Sequence, residues 1–194
     1  MTQLITIDEI LAAVHSYNPA ASLDKIKKAF EFSAKAHAGQ MRRSGDPYLI
    51  HPLEVAKTLT QLKMDSSTII AAILHDTIED TGISKEQLEK EFGEDVAEIV
   101  DGVTKISKLH FSSQEDRQAE NYRKMILAMS KDIRVIMVKL ADRVNNIRTL
   151  QFLPEAKQIK ISQETLDIYA PIASRMGIFW IKEELEEYSL KFLK

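Results

Sequence analysis

From Thr68 to Leu74 the chain reads Thr-Ile-Ile-Ala-Ala-Ile-Leu, and no side chain after the threonine is polar. A helix apolar on every side belongs in the middle of a bundle rather than on its surface. The polarity then reverses: His75, Asp76, Glu79 and Asp80 arrive within six residues. Helical continuation predicts His75 over Glu79 and Asp76 over Asp80, because residues four apart share a face. Three carboxylates on one short turn repel each other, and a buried helix gives them little water. An acidic helix end exposed to solvent would carry the same residues without difficulty. Directly after a fully apolar helix and beside a histidine, a cation or a substrate explains them better, and His75-Asp76 has the character of a metal-binding pair.

Helical spacing dominates the rest of the chain, and no segment alternates well enough to be a strand. Thr6 to Glu9 is a capping box opening a helix to about Tyr17, where Asn18-Pro19 ends it. Ser22 is placed to cap a second helix with Leu23, Ile26, Phe30 and Ala34 on one face, stopping near Gly39. Residues 40–50, with Arg42, Arg43, Gly45 and Pro47, read as a loop. Pro52 suits the first turn of a third helix with Val55, Leu59 and Leu62 inward. Ser84 to Gln87 is another capping box, Gly93 closes that helix after Phe92, and Val96, Ile99, Val100 and Val103 mark the next. A polar loop over Leu109–Asp116 and a helix over Gln114–Met129 follow. Asp132 then caps a helix to about Leu153, whose apolar positions Ile133, Ile136, Met137 and Leu140 give way to Asp142, Asn146 and Thr149. Helices over Glu155–Ala170 and Ile181–Phe192 finish the chain. With no linker, repeat or low-complexity run, residues 1–194 are expected to form a single all-α bundle of about nine to ten helices.

Composition narrows the function classes. Of 194 residues 44% are hydrophobic and 28% charged, enough for a core and typical of a soluble protein. A net charge of −3 argues against general binding to nucleic acid or anionic membranes. The absence of cysteine excludes disulfides, thiolate metal sites and cysteine nucleophiles, and fits a reducing compartment. MTQLITIDEI has no basic stretch before an apolar core, and the longest apolar run, Ile69 to Leu74, is too short to span a bilayer. A cytoplasmic protein is expected.

Five histidines are present. His15 and His110 lie in ordinary surface settings, and His37, near a helix end, reads as a cap or a core hydrogen-bonder. His51 stands at a loop-to-helix junction beside Pro52. Together with His75-Asp76 and with Asp142 on a late buried helix, it makes two imidazoles and two carboxylates. That donor set suits Mn²⁺, Fe²⁺ or Zn²⁺ better than Ca²⁺. Such an ion would neutralise the crowded carboxylates and lower the pKa of bound water toward neutrality.

The order His51, His75-Asp76, Asp142 is that of the HD-superfamily phosphohydrolases. More closely, SGDPYLIHP (44–52), LHDTIEDT (74–81), FGEDVAEIVDGVTKI (92–106) and SKDIRVIMVKLADRVNNIRTL (130–150) resemble the alarmone hydrolase domain of the Rel/SpoT family, a resemblance running from about Leu23 to Phe192. It implies hydrolysis of the 3′-diphosphate of guanosine tetra- and pentaphosphate to GDP or GTP and pyrophosphate, with Mn²⁺ as the usual metal. By position, His51, His75, Asp76 and Asp142 are similar to that family's metal ligands, and Glu79 and Asp80 to its catalytic acidic pair. Arg42 and Arg43 stand where the family flanks the guanine base, with Ser44 beside them; Asn146 and Thr149 match its nucleotide contacts. Without the resemblance, Arg42-Arg43 reads first as a solvated loop. The chain departs at Asn145, where the family usually has histidine, which touches affinity or the tuning of the metal ligands rather than the chemistry. A phosphatase for another phosphorylated nucleotide and a non-catalytic nucleotide sensor are the alternatives; intact Glu79 and Asp80 speak against the sensor.

Overall fold

The computed structural model describes residues 4–107 and 132–193. Among these residues the backbone is helical wherever the sequence is amphipathic, and the one strand-like contact is an antiparallel bridge between Met41 and Pro47. The predicted loop over Leu109–Asp116, the helix over Gln114–Met129 and His110 lie outside the described residues.

Helix α1 (Ile7–Tyr17) opens with its capping box, Thr6 accepting from the Glu9 N–H while the Glu9 carboxylate accepts from the Thr6 N–H. In α2 (Leu23–Ala36) Ser22 stands at the cap, but its hydroxyl makes no capping bond, contrary to expectation. Pro52 sits in the first turn of α3 (Ile50–Gln61). Every residue of α4 (Ser66–Leu74) from Thr68 onward is buried, as its uniform apolarity requires. After α5 (Thr77–Asp80), α6 (Lys85–Phe92) carries the second capping box. Gly93 ends it at φ 93°, a left-handed backbone that glycine adopts without a Cβ penalty. Helix α7 (Glu94–Ser107) lies against α4 and α8 (Ile133–Arg148). Gly102 of α7 faces Val135 of α8, and a Cβ there would come within 2.8 Å of the valine methyl, so the missing side chain sets how closely these helices approach. A 3₁₀ turn (Leu150–Phe152), α9 (Glu155–Glu164), a π-helical turn (Thr165–Tyr169), α10 (Ala170–Arg175) and α11 (Phe179–Lys191) complete the described chain. No helix among the described residues is long and apolar enough to cross a membrane.

Helix α8 separates two apolar clusters, and this fixes its rotation. Val135, Val138 and Ala141 face the cluster around α4 and α7, whereas Ile136, Leu140, Val144 and Ile147 pack with Ile168, Ile172, Ile181 and Leu185. Each fully buried Ile or Leu contributes roughly 1.5–3 kcal/mol, so neither stripe can turn outward cheaply. The strip left over carries Lys139, Asp142, Arg143 and Asn146.

The structure corrects the expected elements in four places. The helix expected over Glu155–Ala170 ends at Glu164 and passes through the π-helical turn into α10. The central helix is not continuous: it ends at Leu74, although His75 (φ −58°, ψ −30°) and Asp76 (φ −93°, ψ −7°) remain right-handed. Side chains take the carbonyls that a continuing helix would use, His75 Nδ1 lying 2.8 Å from the Ala72 oxygen and the Thr77 hydroxyl donating to Leu74 O at 2.6 Å. Ile133 is 51% exposed rather than inward, because α8 begins there and its buried stripes start two residues later. The same helix stops at Arg148, where the Thr149 hydroxyl reaches the carbonyls of Asn145 and Asn146.

Three helix N-termini are tied together by Arg134. It donates to Asp132, which caps α8, and to Asp95 in the first turn of α7, and lies 3.7 Å from Asp65, which caps α4. Hydrogen bonds from Arg134 hold both Asp95 and Asp132 below the usual carboxylate range. Arg134→Ala is expected to destabilise the fold by about 1 kcal/mol near neutrality, given the exposure of these pairs. A depressed carboxylate pKa stabilises above the unfolded value of ~3.9 and loses its contribution as pH falls through the lower folded value. The difference between urea melts of the two proteins should therefore hold down to about pH 4 and shrink as pH falls further through the lowered folded values; a difference constant with pH would mean that packing, not charge, is involved.

Candidate active site

His51, in the first turn of α3, the His75-Asp76 break and Asp142 on α8 meet at one point. His51, His75 and Asp142 each offer a donor atom, all within 4.8 Å of one another, and all three are buried. Asp142 Oδ1 lies 3.3 Å from His51 Nε2 and 3.8 Å from His75 Nε2. Asp76 completes the cluster, 3.1 Å from His75 Nε2 and 3.5 Å from His51 Nε2 through its two oxygens. Donors sharing one ion at ~2.0–2.3 Å are at most about 4.6 Å apart, so these separations are compatible with a common ion. His75 Nε2 is buried and has no hydrogen-bond partner despite its closeness to Asp76. A buried nitrogen without a partner is costly unless a ligand meets it, and with the hard carboxylate oxygens around it the donor set fits a divalent transition ion.

The electrostatics keep these oxygens anionic. Burial pushes the Asp142 carboxyl upward, but Lys139 and the two histidines outweigh it and hold the group well below the usual range. Burial likewise raises Asp76, and His75 and His51 more than offset it. Lys139, mostly shielded from solvent, donates to Asp142 Oδ2 at 2.8 Å and to the Ser107 hydroxyl at 2.9 Å, and it stays a cation because the Asp142 charge overcomes its desolvation.

His51, Asp76 and Asp142 of the cluster form one wall of a cavity of about 370 Å³, and His75 is not part of that lining. Tyr48 donates its hydroxyl to Asp76 and, at 2.8 Å, to Asp80; burial against these carboxylates pushes its pKa up, so it remains a donor. Its ring stacks on His37, centroids 4.5 Å apart, which gives buried His37 a packing role. Glu79 and Asp80 both line the cavity from its exposed rim. Burial against that wall, with help from Asp76 and Asp80, pushes the Glu79 carboxyl above its ordinary value, although Lys139 pulls it back. On the far side Arg143 stands over the Tyr169 ring, 4.0 Å from its centroid, and donates to Glu164 at 3.0 Å. The π-helical turn brings Ile168 and Tyr169 into this lining, an instance of such turns marking cavities.

The base-side residues divide. Arg42 lines the cavity and donates to Asn145 at 3.0 Å and to Asn146 at 3.2 Å; Asn146, also in the lining, donates to Asp142 Oδ1 at 2.6 Å. Arg43 points to solvent, Ser44 donates to Asp46 at 2.7 Å within its own turn, and Thr149 serves the end of α8. These three lie outside the cavity lining, because each is engaged locally or turned away by the Met41–Pro47 bridge. Sequence reasoning passed over Tyr48, although it stands in the motif containing His51, and Lys139, whose only signal is its spacing of three from Asp142. His15 is exposed as expected.

Comparison with known proteins agrees with this geometry. A relative from Myxococcus xanthus named GTP pyrophosphokinase is 59% identical over 184 residues, 93% of this chain and 24% of its own length. One from Aquifex aeolicus named guanosine-3′,5′-bis(diphosphate) 3′-pyrophosphohydrolase is 48% identical over 189 residues, 97% of this chain and 27% of its own. The chain thus spans about a quarter of the length of these curated relatives. A solved structure of a metazoan orthologue of SpoT, described as hydrolysing ppGpp with a role in starvation responses, superposes with a TM-score of 0.62 at 26% identity, covering 87% of this chain and 93% of that one. A model of the family described as HD domain matches residues 29–179, a span that contains His51, His75-Asp76 and Asp142, and the chain belongs to that family.

Proposed function

We propose that this chain is a metal-dependent hydrolase removing the 3′-diphosphate of guanosine tetra- or pentaphosphate, releasing pyrophosphate and GDP or GTP. The observation that carries it is the largely buried cluster of two imidazoles and two carboxylates, one nitrogen of it without a partner, which opens through His51, Asp76 and Asp142 onto a cavity with acidic and basic walls. The names of the Aquifex aeolicus relative and of the metazoan SpoT orthologue support the substrate. A cytoplasmic setting agrees with the absence of cysteine.

The reaction forms a bond from water oxygen to the phosphorus attached at the 3′ position and breaks the bond from that phosphorus to the ribose 3′-oxygen. His51, His75, Asp76 and Asp142 would hold a divalent ion, Mn²⁺ in this reading, which polarises phosphoryl oxygens and acidifies bound water. The raised carboxyl of Glu79 suits donation of a proton to the departing 3′-oxygen. Asp80, oriented by the Tyr48 hydroxyl, is placed to accept the proton that water loses. Lys139 and Arg143 supply positive charge to the phosphate wall, and Arg42 with Asn146 borders the nucleoside side.

The test is direct: purified protein, guanosine tetraphosphate and each divalent ion in turn, with products separated by anion-exchange chromatography. GDP and pyrophosphate in equal amounts, with Mn²⁺ most effective, are expected; release of a 5′-phosphate or turnover only of another nucleotide would replace the substrate assignment. Arg42→Ala, assayed at saturating Mn²⁺, is expected to raise KM with little change in kcat, since a contact to the nucleoside is present in ground and transition states alike. A collapse of kcat at unchanged KM would move Arg42 from binding to chemistry.

A further inference from the structure

One buried amide links the metal cluster to the loop across the cavity. Asn145 Oδ1 accepts from Arg42 Nη1 at 3.0 Å, and the same oxygen lies 2.6 Å from His51 Nδ1. A guanidinium can only donate, so the amide atom facing Arg42 has to be the oxygen and not the amino group. An oxygen facing His51 Nδ1 requires that nitrogen to carry the proton. In the neutral imidazole, the form a metal ligand must take, the lone pair of His51 is then on Nε2, the atom turned toward Asp142 at 3.3 Å and Asp76 at 3.5 Å. His75 receives the same setting from the backbone, through the Ala72 carbonyl at 2.8 Å from its Nδ1. Among the described residues no backbone carbonyl meets the His51 ring, and Asn145 supplies the acceptor instead.

We propose that Asn145 is a positioning residue: its amide oxygen, oriented by Arg42, locks His51 in the Nδ1–H tautomer and so sets the affinity of the cluster for a divalent ion. An amide oxygen has two lone pairs and can accept from both partners at once. The inference rests on the metal reading of the site and not on the identity of the nucleotide. A purely structural asparagine would alter stability on replacement but neither tautomer nor ion affinity.

The experiment uses the full chain, Mn²⁺ binding by titration calorimetry, and long-range ¹H–¹⁵N spectra of His51 in the metal-free protein. Asn145→Leu, close in size and without an acceptor, is expected to bind Mn²⁺ about 10–100-fold more weakly and to lose the single-tautomer signature. Asn145→Asp, which keeps an acceptor oxygen, should restore both. Arg42→Met lies nearer the surface and guards against a variant that does not fold; freeing the amide to rotate, it should mix the His51 tautomers and weaken Mn²⁺ binding, though less than Asn145→Leu. A folded Asn145→Leu with wild-type affinity, or an Asn145→Asp as weak as Asn145→Leu, overturns the proposal. Wild-type protein that binds no divalent ion overturns the metal reading and this proposal together, whereas ion binding indifferent to Asn145 overturns this proposal alone.

Discussion

Asp142→Ala is expected to lose divalent-ion binding and hydrolysis together. The carboxylate faces both imidazole Nε2 atoms through Oδ1 and Lys139 through Oδ2, so its removal takes one donor from the cluster and strands a mostly shielded cation. Activity should fall by more than the ~10–100-fold typical of a residue that only supports a ligand. Stability has two opposing terms. Breaking a buried ion pair by deleting one partner costs roughly 3–5 kcal/mol, while removing the Asp142 charge relieves its repulsion of Asp76. Asp142→Asn separates loss of the ion from loss of the fold, because the amide can still accept from Lys139 while the charge is gone. Metal content by mass spectrometry, thermal melts and turnover on both variants decide the matter. Stoichiometric Mn²⁺ retained in a folded Asp142→Asn with normal turnover would show that the ion sits elsewhere.

The parts of this molecule that were legible in its sequence are those fixed by neighbours in the chain. Both capping boxes form because the bonding groups are three residues apart and no distant contact is needed. The burial of α4 follows from its having no polar face; the convergence of His51, His75 and Asp142, the outer two 91 positions apart, is the exception, expected from the resemblance in motif order and not from local pattern. What escaped depends on competition or on distance. The break after Leu74 is decided by a threonine hydroxyl and a histidine nitrogen outbidding backbone N–H groups, a balance that periodicity does not register. Tyr48 belongs to no periodic element, and its value lies in reaching two carboxylates 28 and 32 positions away. Thr149 had the spacing of a pocket residue, yet it serves the helix end, because a helix terminus leaves carbonyls that must be satisfied. Asn145 was visible only as a departure from a pattern; its two bonds span 103 and 94 positions and appear only once α8 is seated on α3 and the Arg42 loop.

Replacing Glu79 by glutamine is expected to leave a protein that binds ion and nucleotide but turns over roughly 10²–10⁴-fold more slowly, the usual contribution of a positioned acid or base. Glu79 lines the cavity from its rim and has no close contact with the imidazoles, so losing its charge should spare the metal cluster. Its carboxyl is raised by burial and by Asp76 and Asp80, which favours the protonated form that a proton donor needs. Glutamine keeps the shape and loses the transferable proton. Nucleotide affinity should hold or tighten, since a negative charge beside the phosphates is gone. Asp80→Asn should slow turnover as well while the Tyr48 hydroxyl keeps its donor role, because the amide oxygen can accept the same bond. The two variants therefore separate an enzyme from a nucleotide sensor built on the same pocket, provided ion content, nucleotide affinity and hydrolysis are measured on each preparation. Wild-type turnover in both would strip the acidic pair of its chemical role. Tight nucleotide binding without hydrolysis in the unmodified protein would identify the sensor; hydrolysis is the expected result, because a pocket that only binds has no use for a raised carboxyl at its mouth.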